Sequence, residues 1–307
     1  MAPVLVTGAS GFIGSALVAK LRAQGRDVFA VDLEPFADPA LPGVIGDLRD
    51  PSVVEAAFAV RPETVFHLAA RTSVLQSVND PQGVYEVNVE VTQRLLEAAR
   101  SGGVGSFVFA STNAVAGETH GASINEATPI RPLTPYGATK AAAEMLCSAY
   151  ASSYAVDACA VRFTNVYGYG MNRKDTFVVR LMRAAANHHA VNIYGDGLQE
   201  RDYLFVDDSI AALLRAESCR LTGPLTVGTG VSTSVLEVCK RAAAVIGLPI
   251  DTVHVAAPAG EMRAVRVDIA KARSLGYAPS VGLDDGLART WADLSPTLGV
   301  ADPGAVA

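Results

Sequence analysis

From the amino end, the chain alternates short apolar runs with stretches in which apolar residues recur every three or four positions. Residues 3–7, Pro-Val-Leu-Val-Thr, form the first apolar run, of the unbroken kind found in strands buried on both faces of a parallel sheet. Residues 12–22 then place Ile13, Leu17 and Leu21 on one helical face. Further strands are expected over 27–31, 43–46, 64–70 including the strand's exit, 106–111 and 158–163. Helices are expected over 84–101 and 135–154. Strands joined by helical crossovers imply an α/β fold with a doubly wound parallel sheet of about seven strands. After Asn165 the pattern changes to a loop over 167–175, helices over 177–187, 206–218, 234–246 and 286–294, and a turn-rich stretch around Gly195. The expected organisation is a sheet domain over 1–165, a smaller lobe over 166–295 with segments returning to the sheet, and a loose tail over 296–307.

A glycine set lies between the first strand and helix. Gly8, Gly11 and Gly14, with Phe12 and Ile13 opening the helix, form a G-x-x-G-x-x-G turn. Such a turn lets backbone approach a pyrophosphate, and the helix N-terminus adds N–H donors and a positive dipole end. Asp32 ends the second strand at the spacing where an acid binds the adenosine ribose of a dinucleotide. A carboxylate there repels a 2′-phosphate and so favours NAD over NADP. A ligand-free glycine turn is the competing reading, and strand, helix and acid together weigh against it.

The composition fits a soluble enzyme. Half of the 307 residues are apolar, 18% are charged, and the net charge of −6 offers no footprint for nucleic acid. No apolar stretch reaches the roughly 18 residues that span a bilayer. The first strand starts almost at Met1, leaving no room for a leader, so a cytoplasmic location is expected. Cys147, Cys159, Cys219 and Cys239 stand singly and read as reduced core thiols. His67 falls at a strand exit, and His188-His189 is expected on a helix surface. With no acidic cluster at ligand spacing, no metal is expected.

Tyr136 and Lys140 lie four apart on a helix and share a face. A phenol has a reference pKa of about 10. A neighbouring ammonium, together with the positive charge of an oxidised nicotinamide, would favour the phenolate and make Tyr136 a proton carrier. Lys140 would also reach the nicotinamide ribose. A solvated helix pair is the alternative.

With these motifs, the chain resembles the extended short-chain dehydrogenase/reductase family, in particular its nucleotide-sugar epimerases and dehydratases. The matching segments are TGASGFIG, Asp32, Asp47-Leu48, His67-Leu-Ala-Ala70, FVFASTNAVAG, Tyr136-GATK140, RFTNVYG, IYGDGLQERDYLFVDD and Asp268-IAKA. The resemblance implies a Rossmann-type NAD fold and a C-terminal lobe for a nucleoside-diphosphate sugar, with UDP favoured. Asp32 would bind the adenine ribose, Asp47 and Leu48 would flank adenine, and Ala69 and Ala70 would line the cofactor pocket. Thr112 would bridge Tyr136 and the sugar, with Asn113 beside it, and Asn165 would contact sugar or diphosphate. Tyr194 would lie against the nucleobase, or serve only the edge of its lobe. Arg201 would grip the diphosphate, where a planar guanidinium suits phosphate oxygens, or pair with Asp202 or Asp208. Arg263 would stand near the diphosphate. A homodimer through helices 84–101 and 135–154 is also implied.

Asn113 and Ala114 discriminate among reactions. Related 4,6-dehydratases carry an acid pair there, and related uronate decarboxylases a glutamate at the second position. An amide and a methyl exchange no proton, and a missing general acid or base costs about 10²- to 10⁴-fold. Reversible oxidation at C4 remains, the chemistry of a UDP-hexose or UDP-hexuronate 4-epimerase. Another nucleotide-sugar oxidoreductase (dehydratase, decarboxylase or ketoreductase) is the alternative, and a non-catalytic NAD sensor a further one. Pro258 and Ala116 depart from the epimerase pattern. Arg173 or Lys174 would receive a C6 carboxylate if a uronate is preferred; a solvated loop cation is the other reading.

Overall fold

The computed structural model describes residues 2–172, 174–257 and 263–299. It opens with strand β1 (Val4–Thr7), helix α1 (Phe12–Ala23), β2 (Val28–Asp32) and β3 (Gly43–Ile45). Helix α2 (Pro51–Phe58) leads to β4 (Thr64–His67), followed by the short helices α3 (Val74–Asn79) and α4 (Pro81–Tyr85). A π-helical turn, Glu86–Glu90, joins α4 to α5 (Val91–Gly102); β5 (Ser106–Thr112), α6 (Pro135–Ser153) and β6 (Asp157–Phe163) follow. The second half contributes β7 (Asn165–Tyr167), α7 (Phe177–Ala186), β8 (Val191–Tyr194), β9 (Glu200–Phe205), α8 (Val206–Ser218) and β10 (Gly223–Val227). It closes with β11 (Ser232–Ser234), α9 (Val235–Ile246), β12 (Thr252–Val255), α10 (Ala270–Ser274) and α11 (Leu283–Leu294).

Seven strands form one sheet in the order β10-β6-β5-β4-β1-β2-β3, every pair parallel. Alternation along each strand divides the core between the two faces. Val6, Phe66 and Val108 face Leu17 and Leu21 of α1 and Leu213 of α8 in one cluster. Leu5, Val65 and Phe107 face Val54 of α2, Leu95 of α5 and Cys147 of α6 in the other. The strand order turns outward in both directions from the junction of β1 and β4. In a doubly wound sheet a ligand crevice opens at that point, beyond the strands' carboxyl ends. The smaller sheets are β11-β9-β7 and β12-β8.

Several expectations change. The helix expected over 84–101 is broken by its π-helical turn, which no hydrophobic spacing announces. Helices α2 and α3 were not anticipated, and β10, the strand that completes the sheet, sits in what reads as a link between helices. Cys219 is exposed, not a core thiol; the other three cysteines are buried. His188 and His189 follow the end of α7 in a turn, His188 with a left-handed φ of 54°, so they are not on the helix itself. Of the expected tail, Ser295–Leu298 forms a 3-10 turn, and residues 300–307 lie outside the described residues. Among the described residues no helix is long and apolar enough to cross a membrane.

A buried ion pair ties the long helix α6 to the sheet. Glu144 accepts hydrogen bonds from Nε and Nη2 of Arg162 on β6, the shorter at 2.7 Å, and from the Ser111 hydroxyl on β5 at 2.5 Å. Removing one partner of such a pair leaves an uncompensated buried charge, which costs about 3–5 kcal/mol. Arg162→Met should therefore lower the unfolding free energy by about that amount in urea titrations. The double variant Glu144→Leu with Arg162→Met should recover most of the loss.

Candidate active site

A cavity of about 710 Å³ opens along the carboxyl ends of β1, β2, β4, β5 and β6. Its floor is the turn after β1. Gly8 has a φ of +72°, and a side chain on it would lie 2.6 Å from the Ala69 backbone nitrogen. A Cβ on Gly14 would fall 1.9 Å from the Gly8 carbonyl oxygen, so α1 can press on the turn only without one. Gly11, Phe12 and Ile13 complete this wall. The bare backbone turn opening onto a helix N-terminus fits a pyrophosphate.

Asp32, the last residue of β2, is held across the turn. Its carboxylate accepts from the Ser10 N–H at 2.8 Å and the Glu34 N–H at 3.0 Å. Glu34 lines the same wall, so two carboxylates stand together there, an arrangement that would repel a phosphate. Ser10 and Glu34 were missed in the sequence: Ser10 is a variable position of the glycine turn, and Glu34 belongs to no motif. Asp47 and Leu48 lie on the next wall beside Arg49. The Arg49 guanidinium hydrogen-bonds Asp47 at 2.7 Å and draws its carboxyl below the usual range. Ala69 and Ala70 line the cavity after β4.

At the other end stand Thr112, Tyr136 and Lys140. Thr112 closes β5, while Thr134 caps α6 by accepting the Gly137 N–H and Pro135 pre-sets the first helical residue. Tyr136, Lys140 and Glu144 then follow one row up the helix. Burial pushes the Tyr136 phenol up to about 12, opposed by its hydrogen bond with Thr112. Burial lowers Lys140 to about 7. Its ammonium donates to the Ala110 carbonyl at 2.9 Å and lies 4.5 Å from the centre of the Phe109 ring. In this arrangement the cation is turned to Ala110, and Thr112 is the group that favours the phenolate.

The remaining expected residues divide. Asn113 is buried behind Thr112, whose hydroxyl reaches its Oδ1 at 3.3 Å, and it does not line the cavity. Asn165 begins β7 and is exposed beside the cavity residues Thr164 and Val166. Tyr194 ends β8, and Arg201 lies on β9 opposite Thr233. Arg263 reaches Asp196 at 4.0 Å, and its carbonyl accepts the Glu200 N–H. Tyr194, Arg201 and Arg263 are thus gathered around β8 and β9, outside the cavity wall. Lys174, Thr176 and Met171 do line the cavity, and only Lys174 was singled out in the sequence. Arg173 and Pro258 lie outside the described residues. His67 is fully buried beneath the strand exit and does not line the cavity. No group of three or more histidine, cysteine or acidic residues suited to a metal occurs among the described residues.

Comparison with known proteins agrees with this geometry. The family model described as the NAD dependent epimerase/dehydratase family matches residues 4–219. A UDP-glucose 4-epimerase of Mycolicibacterium smegmatis is 36% identical over 301 residues, covering 93% of this chain and 96% of that protein. A dTDP-glucose 4,6-dehydratase of Streptomyces griseus is 33% identical, covering 94% of this chain and 92% of its own length. Among solved structures, MoeE5 in complex with UDP-glucose and NAD, and with UDP-glucuronic acid and NAD, is 40% identical with a TM-score of 0.90. The match covers 96% of this chain and 99% of MoeE5. The glycine turn, the pinned Asp32 and the Tyr136–Lys140 row therefore stand in a chain that belongs to the NAD-dependent epimerase/dehydratase family.

Proposed function

We propose that the protein is an NAD-dependent 4-epimerase of UDP-sugars. The observation that carries this reading is the distribution of charge in the cavity. Its carboxylates, Asp32, Glu34 and Asp47, stand at the adenosine end; the wall around Thr112, Tyr136 and Lys140 has none. Water loss across C5 and C6 needs a proton-exchanging acid there, and Asn113 and Ala114 follow Thr112 instead. What the wall can do is move the proton of one hydroxyl. NAD, when bound, supplies the reversible hydride acceptor that oxidation at C4 requires.

Tyr136 takes the C4 hydroxyl proton as C4 is oxidised and returns it on reduction. Thr112 hydrogen-bonds both the phenol and the sugar oxygen. Lys140, one turn along, donates to the Ala110 carbonyl and would reach the nicotinamide ribose. Inversion then needs the 4-keto sugar to turn over while its diphosphate stays anchored, a task for Arg201 and Arg263, with Tyr194 at the nucleobase and Asn165 at the sugar. Residues 1–165 serve the cofactor and 166–295 chiefly the sugar nucleotide. A homodimer across α5 and α6 is supported by exposed Met145 on α6 and Tyr154 at its end. Four cysteines without a disulfide accord with a reducing compartment, the cytoplasm.

One observation favours a uronate among the sugars. Lys174 lines the cavity, and the buried Thr176 hydroxyl on the same wall has no hydrogen-bond partner among the described residues. A cation and a free donor suit a C6 carboxylate. MoeE5 has been solved with UDP-glucuronic acid.

Four measurements test these statements. Purified protein given UDP-glucose or UDP-glucuronate without external reductant should form an isomer of unchanged mass; loss of water from the first or of carbon dioxide from the second would refute epimerisation. Tyr136→Phe should lower kcat by about 10²-fold or more while NAD still binds. Lys140→Met should raise the melting temperature of the cofactor-free protein while abolishing turnover. Because burial lowers Lys140 from 10.5 to about 7, the folded state bears the cost of a charged ammonium fully below pH 7. The stabilisation should therefore be largest at pH 6 and shrink by pH 9.5. Finally, Lys174→Ala should raise KM for UDP-glucuronate about tenfold more than for UDP-glucose, roughly 1.4 kcal/mol of selective binding. Equal loss for both sugars would remove the uronate preference.

A further inference from the structure

His67 plays no part in the chemistry above, yet it sits at a junction. Its ring is fully buried at the end of β4, with Thr7 at the end of β1 on one side and Thr92 of α5 on the other. Nδ1 lies 2.7 Å from the Thr7 hydroxyl and Nε2 lies 3.0 Å from the Thr92 hydroxyl. The tautomer follows by counting protons. The Thr92 hydroxyl gives its proton to the Asn88 carbonyl at 2.7 Å, so toward His67 it must accept, and Nε2 carries the hydrogen. Burial pushes the ring down to about 3, so it stays neutral at working pH. Nδ1 then accepts from Thr7, whose oxygen accepts the Ala69 N–H at 3.3 Å.

The chain continues through Asn88, in the π-helical turn, a feature often found beside functional sites. The Asn88 amide donates to the Arg71 carbonyl at 3.1 Å and accepts the Arg71 N–H at 2.9 Å, gripping the segment that leaves β4. It also donates at 3.0 Å to the Thr139 hydroxyl, which gives its proton to the Tyr136 carbonyl at 2.8 Å. Three walls of the cavity meet in this one chain: the glycine turn through Thr7, the β4 exit through Ala69 and Arg71, and the start of α6 through Thr139. Thr7, His67, Asn88, Thr92 and Thr139 are all buried. The bonds form two runs joined covalently at Asn88, one ending on its backbone carbonyl and one starting from its side-chain amide, and in each run every link has one donor and one acceptor.

We propose that His67 and Thr92 are positioning residues that, through Asn88 and Thr139, set the spacing between the cofactor-binding turn and the helix bearing Tyr136. They touch neither cofactor nor substrate. Their effect is on the distance between the reacting groups, so it should fall on the chemical step and not on sugar binding. The kinetic part of the inference rests on the epimerase reading; the structural part does not.

The test is an isosteric pair in the full-length protein. Thr92→Val keeps the shape and removes the hydroxyl, whereas Thr92→Ser keeps the hydroxyl and removes a methyl. With UDP-glucose, Thr92→Val should lose about 10- to 100-fold in kcat, with KM within twofold and a larger isotope effect for substrate deuterated at C4. Thr92→Ser should stay within about threefold of wild type. In the NAD-bound protein, amide hydrogen exchange should rise at 69–72 and at the start of α6 in the Val variant only. The pair Thr139→Val and Thr139→Ser, at the far end of the chain, should repeat the pattern. Val variants with unchanged kcat and exchange, Ser variants as impaired as Val, or Val variants that lose fold and cofactor together would each overturn the proposal. Wild-type protein that turns over no UDP-sugar would instead refute the epimerase reading, and the exchange measurement would still decide this one.

Discussion

Glu144 and Arg162 are almost wholly out of water, with side chains 5% and 3% exposed, and a charge in that position is tolerable only when paired. The pair spans from α6 to β6, and Ser111 adds the end of β5. Slipping the helix by one residue would strand a carboxylate, so its register on the sheet is strongly determined. Lys140 and Tyr136, one and two turns back on the same row, are placed at the cavity by the same constraint. The Tyr136 end of the cavity thus inherits its geometry from an electrostatic requirement deeper in the sheet.

The cofactor end is held by a different means. There the contacts are backbone to backbone, Gly8 against Ala69 and Gly14 against Gly8, with Asp32 tied down by two N–H groups. The two ends depend on each other through the buried polar chain under β4. A neutral His67 suits that place because its two nitrogens present one donor and one acceptor in opposite directions.

The fold of the first half was legible because its signals are local. Val4 to Thr7, the glycines and the helical face of α1 are neighbours in sequence, and so are Tyr136 and Lys140. The boundaries that failed had no local cause. The π-helical turn at Glu86–Glu90 brings Asn88 to Arg71 and Thr139, partners 17 and 51 residues away. Strand β10 pairs with β6 from more than sixty residues away, and its Gly223 and Pro224 disguise it as a turn. Helical spacing puts Lys140 and Tyr136 on one face. Spacing says nothing of the Ala110 carbonyl, which claims the ammonium from the strand beneath.

The sequence by itself determined the class of sheet, the glycine turn with its acid, and the helical row that carries Tyr136 and Lys140. Each is encoded in local patterns along the chain, whose chemistry survives without knowledge of their surroundings. Tertiary structure alone decided which face of Asp32 is pinned, where the Lys140 charge rests, and that Lys174 and Thr176 join the cavity while Tyr194, Arg201 and Arg263 gather elsewhere. It also decided the tautomer of His67. These depend on burial and on hydrogen-bond partners drawn from distant strands, and desolvation is a property of packed surroundings that no single stretch of chain carries.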